Sequence, residues 1–194
     1  MIRWEDLTPS PWKNGGGVTR LIAQERETEF DWKVTRAELE GASSFSLYPG
    51  YDRTSVLLSG EGGRFFLLGK KDKQVRPLVP FHFSGDLPSE LKVNGKCEDF
   101  NLFTRRVAAK AGCYPAYFQP QEEMQLPIAG QEHFVHCVSG NLVVLEPNAH
   151  QHYELGPGDT LRVCRSGSDE FLNLRARAEG GSACALWAVI RPSE

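Results

Sequence analysis

The sequence has no long apolar run, no cluster of like charge and no paired cysteine motif, and each absence removes a class of function. The longest uninterrupted apolar stretch, residues 183–190, has eight residues. That falls well short of the ~20 a membrane-spanning helix needs and suits a buried strand. Lys and Arg never run beyond two in succession, and 22 basic residues face 25 acidic ones for a net charge of -3. The basic footprint of a nucleic-acid binder is therefore missing. The opening residues Met1-Ile2-Arg3-Trp4-Glu5-Asp6 are acidic and polar, where a secretory signal would be basic and then apolar. The expectation is a cytoplasmic protein with neither nucleic acid nor membrane as partner. Cys97, Cys113, Cys137, Cys164 and Cys184 are odd in number and widely spaced, with no C-x-x-C pair. They suit neither a disulfide framework nor a zinc knuckle, and most of them read as small buried apolar residues.

What is present points to β structure. The chain has 194 residues, 40% of them hydrophobic and 24% charged, enough for one domain or two small ones with a real core. Nineteen glycines and twelve prolines punctuate short runs of β-branched, aromatic and alternating residues. Strands are expected at 19–23, 31–39, 53–58, 64–68, 100–105, 133–138, 142–146, 160–163, 172–177 and 183–190. Gly-rich turns are expected at 59–63, 93–96, 139–141 and 156–159. No segment keeps helical periodicity for three turns; residues 121–126 offer one turn of helix at most. Many short strands with regular turn signals mean an all-β sandwich or barrel.

A weak internal repeat sharpens this. Ser55-Val56-Leu57-Leu58-Ser59-Gly60 leads to Phe65-Phe66-Leu67-Leu68, a Gly85-Asp86 turn, and a strand opening Asp99-Phe100. Val135-His136-Cys137-Val138-Ser139-Gly140 leads to Leu142-Val143-Val144-Leu145, a Gly158-Asp159 turn, and a strand opening Glu170-Phe171. Two such halves read as two stacked jelly-roll β-barrels, the bicupin plan, divided at 1–110 and 111–194. Glycine allows positive φ at each corner, and the Asp can bond nearby backbone amides.

The most unusual stretch is Pro11-Trp12-Lys13-Asn14-Gly15-Gly16-Gly17-Val18-Thr19-Arg20. Three consecutive glycines cost folding entropy, so something must require them. A Walker loop is excluded, because the lysine precedes the glycines and a strand rather than a helix follows. Two readings stay open: close approach of backbone to a ligand, with Lys13, Arg20 and Asn14 supplying charge and hydrogen bonds, or a tight turn that carries the chain across a sheet. This string closely resembles the N-terminal signature of the HutD/Ves family. The likeness continues through Phe45-Ser46-Leu47-Tyr48-Pro49-Gly50-Tyr51-Asp52-Arg53, through Pro80 to Asp86, and through Asp99-Phe100-Asn101 with Arg105-Arg106. It covers most of residues 4–110 and reaches the second half only at the Ser-Gly and Gly-Asp turns. The resemblance implies a bicupin fold and a binding or regulatory role in histidine utilisation, with acidic intermediates such as formylglutamate or urocanate as candidate ligands. It does not imply an established reaction.

Other constellations are weighed against that reading. A metal cupin needs an H-x-H pair, a Glu and a later His converging inside a barrel. The stretch before Gly60 has no histidine, His133 and His136 fall on opposite faces of a strand, and His150 and His152 sit just before the second Gly-Asp turn. No metal or other cofactor is expected. Arg53 opens an apolar strand, where a guanidinium can grip a carboxylate through two parallel hydrogen bonds. The competing role is an ion pair with Asp52, Asp86 or Glu61, and the resemblance favours the ligand. Asp99 and Asn101 share one strand face with Phe103 and Arg105, and buried there they need partners, protein or ligand. No G-x-S-x-G elbow exists, and Cys137 and His136 point oppositely, so nucleophilic catalysis has little support. The expected ligand-binding residues are Lys13, Asn14, Gly15, Gly16, Thr19, Arg20, Phe45, Arg53, Phe83, Asp99 and Asn101, and the expected partner is a small anionic metabolite, with a homodimer left open. One alternative is a metal-independent enzyme, an isomerase or hydrolase of a small carboxylic acid with Asp99 or His82 as base. The other is a structural protein with a vestigial pocket.

Overall fold

The computed structural model describes residues 1–12, 15–128, 132–146, 151–164 and 172–193. Lys13, Asn14, His150, Glu170 and Phe171 lie outside the described residues. The chain is all-β: a single 3-10 turn (Trp4–Asp6) is the one helical element among the described residues. None of their helices is long and apolar enough to cross a membrane.

The strands are β1 (Pro9–Pro11), β2 (Gly17–Gln24), β3 (Trp32–Phe45), β4 (Tyr51–Leu57), β5 (Gly63–Leu67), β6 (Lys73–Val75), β7 (Phe81–Ser84) and β8 (Ser89–Arg105), followed by β9 (Ala109–Phe118), β10 (Glu123–Ile128), β11 (Glu132–Glu146), β12 (Gln151–Leu155), β13 (Thr160–Cys164) and β14 (Leu172–Pro192). They form two compact units. The N-terminal unit comprises Leu7–Ala111 and Ser193; the C-terminal unit comprises Gly112–Pro192 and takes in Met1–Asp6.

In the N-terminal unit the strand order is β1-β2-β3-β8-β4-β7, with β5 paired to both β6 and β8. Residues 93–96, expected as a turn, lie inside β8. An Asn-Gly pair reads as a hairpin signal, but β8 pairs with β3 along its whole length while its other edge passes from β5 to β4. The Asn94-Gly95 step becomes an irregularity opposite Gly41, where the β3 register jumps from Glu40 to Ala42. Long-range pairing on both edges overrides the local turn preference. The apolar core of this unit gathers Leu39, Leu57, Phe65, Val75, Phe81, Phe83, Leu91, Val93 and Cys97.

In the C-terminal unit the order is β10-β14-β11-β12, with β13 on β11 and β9 on β14. Two expected strand pairs, 133–138 with 142–146 and 172–177 with 183–190, are each one continuous strand, β11 and β14. The expected turn at 139–141 is instead a bulge in β11, where the register against β14 shifts at Cys137/Ser139 and again at Ser139/Asn141. The expected helical turn at 121–126 is a turn entering β10, which pairs antiparallel with β14. Asp159 bonds backbone amides as its turn chemistry suggests, accepting from Gly156 N at 3.1 Å and Trp4 N at 2.9 Å.

The pairings also correct the sequence repeat. The Ser-Gly and hairpin parts correspond, since β4 and β5 occupy the positions of the two halves of β11. However, β8 residues 99–105 pair with β4 as β14 residues 184–190 pair with the first half of β11. The equivalent of the Asp99 strand is therefore the second half of β14, not its start. The Gly158-Asp159 turn precedes β13, whereas Gly85-Asp86 follows β7, the strand in the matching position.

Gly140 shows why glycine is needed at the bulge. It has φ 74, and an added Cβ would stand 2.4 Å from the Ser182 carbonyl oxygen and 2.8 Å from Ala183 Cβ. Gly95 has φ +71, but open space around it. Gly95→Ala should therefore cost the left-handed backbone alone, about 1–2 kcal/mol. Gly140→Ala should cost that plus a further ~1–3 kcal/mol of overpacking. Urea midpoints of the two variants check the difference.

Candidate functional site

Side chains on one face of a sheet meet across strands at about 4.5–5.5 Å between Cβ atoms, and this generates the site from register alone. Lys33 of β3 stands opposite Phe103 of β8, Phe103 opposite Arg53 of β4, and Arg53 opposite Phe83 of β7. Two cations thus alternate with two aromatic rings along one rung. The next rung is Thr35, Asn101, Ser55 and Phe81. The rung after it sets Asp99 between Ala37 and Leu57.

Arg53 is only 4% exposed. Its guanidinium carbon lies 4.3 Å from the centre of the Phe103 ring, 4.5 Å from Phe45 and 5.0 Å from Phe83. A desolvated cation among aromatic faces is held by their quadrupoles. Nη2 donates to Asn101 Oδ1 at 3.1 Å, while Nε has no hydrogen-bond partner among the described residues. Burial lowers the Arg53 pKa to about 10, against the opposing pull of Asp99, so the side chain stays charged at neutral pH. Asp99 is fully buried. Ser55 donates to Oδ2 at 3.3 Å, and Oδ1 has no partner among the described residues. Burial raises its pKa to about 6, although Asn101, the Arg53 charge and Ser55 favour the ionised form.

Arg53 lies against a cavity of about 140 Å³ whose walls include Trp12, Thr19, Lys33, Thr35, Phe45, Tyr48, Asn101 and Phe103. Lys33 Nζ donates to the Tyr48 hydroxyl at 3.0 Å and sits 4.6–4.7 Å from the ring centres of Phe30, Tyr48 and Phe103. Trp12 Nε1 donates to Thr19 Oγ1 at 2.7 Å and packs where any Cβ on Gly17 would be, 3.0 Å away.

Of the residues expected from the sequence, Thr19, Phe45, Arg53 and Asn101 meet at this cavity. Phe83 stacks beneath Arg53, and Asp99 lies behind Asn101 in the strand core. Arg20 is not with them: strand alternation turns it away from Thr19, and it pairs with Glu38. Gly15 and Gly16 line a separate recess with Gly17, Ser59, Cys97 and Glu98. Asp52 and Asp86, two of the three acids expected as partners of Arg53, are engaged elsewhere, since Arg106 holds Asp52 at 3.0 Å and Asp86 at 2.7 Å. Arg105 pairs with Asp31 rather than with Asp99 or Asn101. His82 bonds Thr54 and lines a different recess, apart from Asp99. No group of three or more His, Cys, Asp or Glu among the described residues is arranged to hold a metal ion.

Sequence reading missed Lys33, Tyr48, Thr35 and Trp12. The obstacle at Lys33 was β3, where Trp32 and Val34 are buried on one face and Ala37 and Leu39 on the other. Without alternation there is no telling which face Lys33 serves. The matching positions of the C-terminal unit are apolar or aromatic: His133, Trp187 and Ala185 stand where Arg53, Asn101 and Asp99 do, in a core of Val135, Leu161 and Leu174. The polar cavity belongs to the N-terminal unit.

The HutD family model matches residues 4–186. The chain belongs to the HutD family. An uncharacterised 21.2 kDa Pseudomonas putida protein from the hutC 3′ region is 28% identical over 199 residues, covering 98% of this chain and 97% of that one. The structure of HutD from Pseudomonas fluorescens SBW25, in a formate condition, is 25% identical with a TM-score of 0.79, covering 100% of this chain and 98% of that one. A cupin 2 conserved barrel domain protein from Leptotrichia buccalis has a TM-score of 0.60 at 10% identity, covering 95% of this chain and 92% of that one. The last shows the fold alone, a cupin-like one.

Proposed function

We propose that this HutD family member is a cytoplasmic bicupin whose N-terminal barrel binds a small carboxylate, an acidic intermediate of histidine degradation such as formylglutamate or urocanate, in a regulatory role. One observation carries the reading: a buried guanidinium with spare hydrogen-bonding capacity stands against a cavity that a second cation also lines. Asp99, beyond Asn101, offsets the Arg53 charge only at a distance, no acid among the described residues pairs with the guanidinium directly, and a carboxylate in the cavity matches its fork geometry. A cavity of about 140 Å³ suits a metabolite of a few carbons rather than a drug-sized ligand, which needs ~300 Å³ or more. The P. putida relative's place in the hutC 3′ region supports the link to histidine utilisation.

A thermal-shift series with N-formyl-L-glutamate, urocanate and formate, each against chloride at equal ionic strength, tests it. At a hundred times Kd a ligand adds about 2.7 kcal/mol to the native state, so Tm should rise by several degrees for at least one of them. No rise with any of the three at millimolar concentration overturns the proposal.

A further inference from the structure

Asp99 stands one rung beyond Asn101, which accepts from Arg53, and keeps a buried oxygen without a partner. Neither anion capture nor core packing calls for a carboxyl there: Ala185 occupies the matching position of the C-terminal unit. We propose that Asp99 is the counter-charge of the empty site, and that binding an anion at Arg53 draws a proton from solvent onto Asp99. This rests on the carboxylate-binding reading of the cavity and adds its regulation by pH.

The argument is one of charge balance in a desolvated space. Without ligand, ionised Asp99 offsets Arg53 in a strand core that water does not reach. When a carboxylate takes its place against the guanidinium, two anions share one buried cation. The ionised form of Asp99 is then disfavoured, and its pKa rises from about 6. No other group nearby does this. Beside Asp99, β4 presents Arg53, the Ser55 hydroxyl and apolar Leu57, and β3 presents Ala37. On β8 itself Cys97 is the neighbouring titratable group, and burial pushes its thiol up to about 12, so it stays neutral. Lys33 and Tyr48 face the cavity rather than Asp99. By linkage, binding takes up protons wherever the free site is ionised and the occupied site is not. Asp99 thus acts on the ligand through Arg53, as a positioning residue.

The test is calorimetric titration of the whole protein with N-formyl-L-glutamate and with formate, from pH 5.5 to 7.5, in buffers of different ionisation enthalpy. The expected result is net uptake of about half a proton near pH 6.5 and an affinity that falls about sixfold across the range, the effect of a one-unit pKa rise from about 6. Asp99→Asn should abolish both the uptake and the pH dependence, while His82→Gln, on the Thr54 side, should change neither. In the parent, the Asp99 carboxyl ¹³C shift should titrate at a higher pH when the site is saturated, a readout that needs no variant. Binding without proton uptake, or uptake that survives Asp99→Asn, overturns this inference and leaves the binding site standing. No binding of either probe at any pH overturns both.

Discussion

Arg53→Met should weaken carboxylate binding by about 1.5–3 kcal/mol, the value of a charged hydrogen bond, roughly 10- to 150-fold in Kd. Met keeps much of the side-chain length against Phe45, Phe83 and Phe103, so packing loss is small. The free protein loses less than the usual ~3–5 kcal/mol for orphaning a buried charge, because Asp99 escapes by protonation. Its pKa is already about 6, so at pH 7 the extra cost of neutralising it is on the order of 1–2 kcal/mol. The sign follows. Asp99 has a folded pKa above its unfolded one, so its burial costs nothing below the unfolded value, and the cost grows from there as pH rises through the folded value. The stability gap between Arg53→Met and parent should close at pH 5 and open towards pH 8, as urea unfolding at the two pH values would report. A gap of several kcal/mol at every pH, with binding unchanged, would make Arg53 a scaffold residue.

Asp159→Ala should destabilise the C-terminal unit by about 2–4 kcal/mol, because three donors lose one acceptor. The carboxylate takes Trp4 N at 2.9 Å, Gly156 N at 3.1 Å and Arg3 Nη1 at 2.6 Å. It thereby holds the first residues where Ile2 N donates to Thr160 O at 2.8 Å and Thr160 N to Ile2 O at 2.9 Å. Burial pushes the Asp159 pKa up, but the Trp4, Arg3 and Gly156 bonds outweigh it, and the net shift is downward. Its stabilisation is therefore present above the unfolded carboxyl value near ~3.9 and lost as pH falls through the folded value. Parent and variant should converge in acid and differ most near neutrality. Asp159→Asn, which keeps one acceptor, should recover part of the loss.

Strand character was readable wherever alternation or β-branched runs were strong, as in Arg53 to Leu58 and the 183–190 run. Where it failed, the reason is tertiary. Asn94-Gly95 and Ser139-Gly140 carry turn chemistry, yet pairing along the whole of β8 and β11 absorbs each as an irregularity. The candidate site was legible in its deepest part, because an arginine opening an apolar strand and a polar pair on one face of the next are unusual. It was not legible at its rim. Thr19 and Arg20 were both expected at the ligand, but consecutive strand residues face opposite ways, and only Thr19 lines the cavity. Lys33 joins the site because register sets it across Phe103 from Arg53, a relation between strands far apart in the chain.

The measurement closest to the central claim is the structure of the protein crystallised with saturating N-formyl-L-glutamate. The account predicts a carboxylate against Arg53 at ~2.7–3.2 Å, inside the cavity bounded by Lys33, Phe45 and Asn101. An empty cavity, or the ligand seated instead in the recess of Gly15, Gly16 and Gly17, would contradict it.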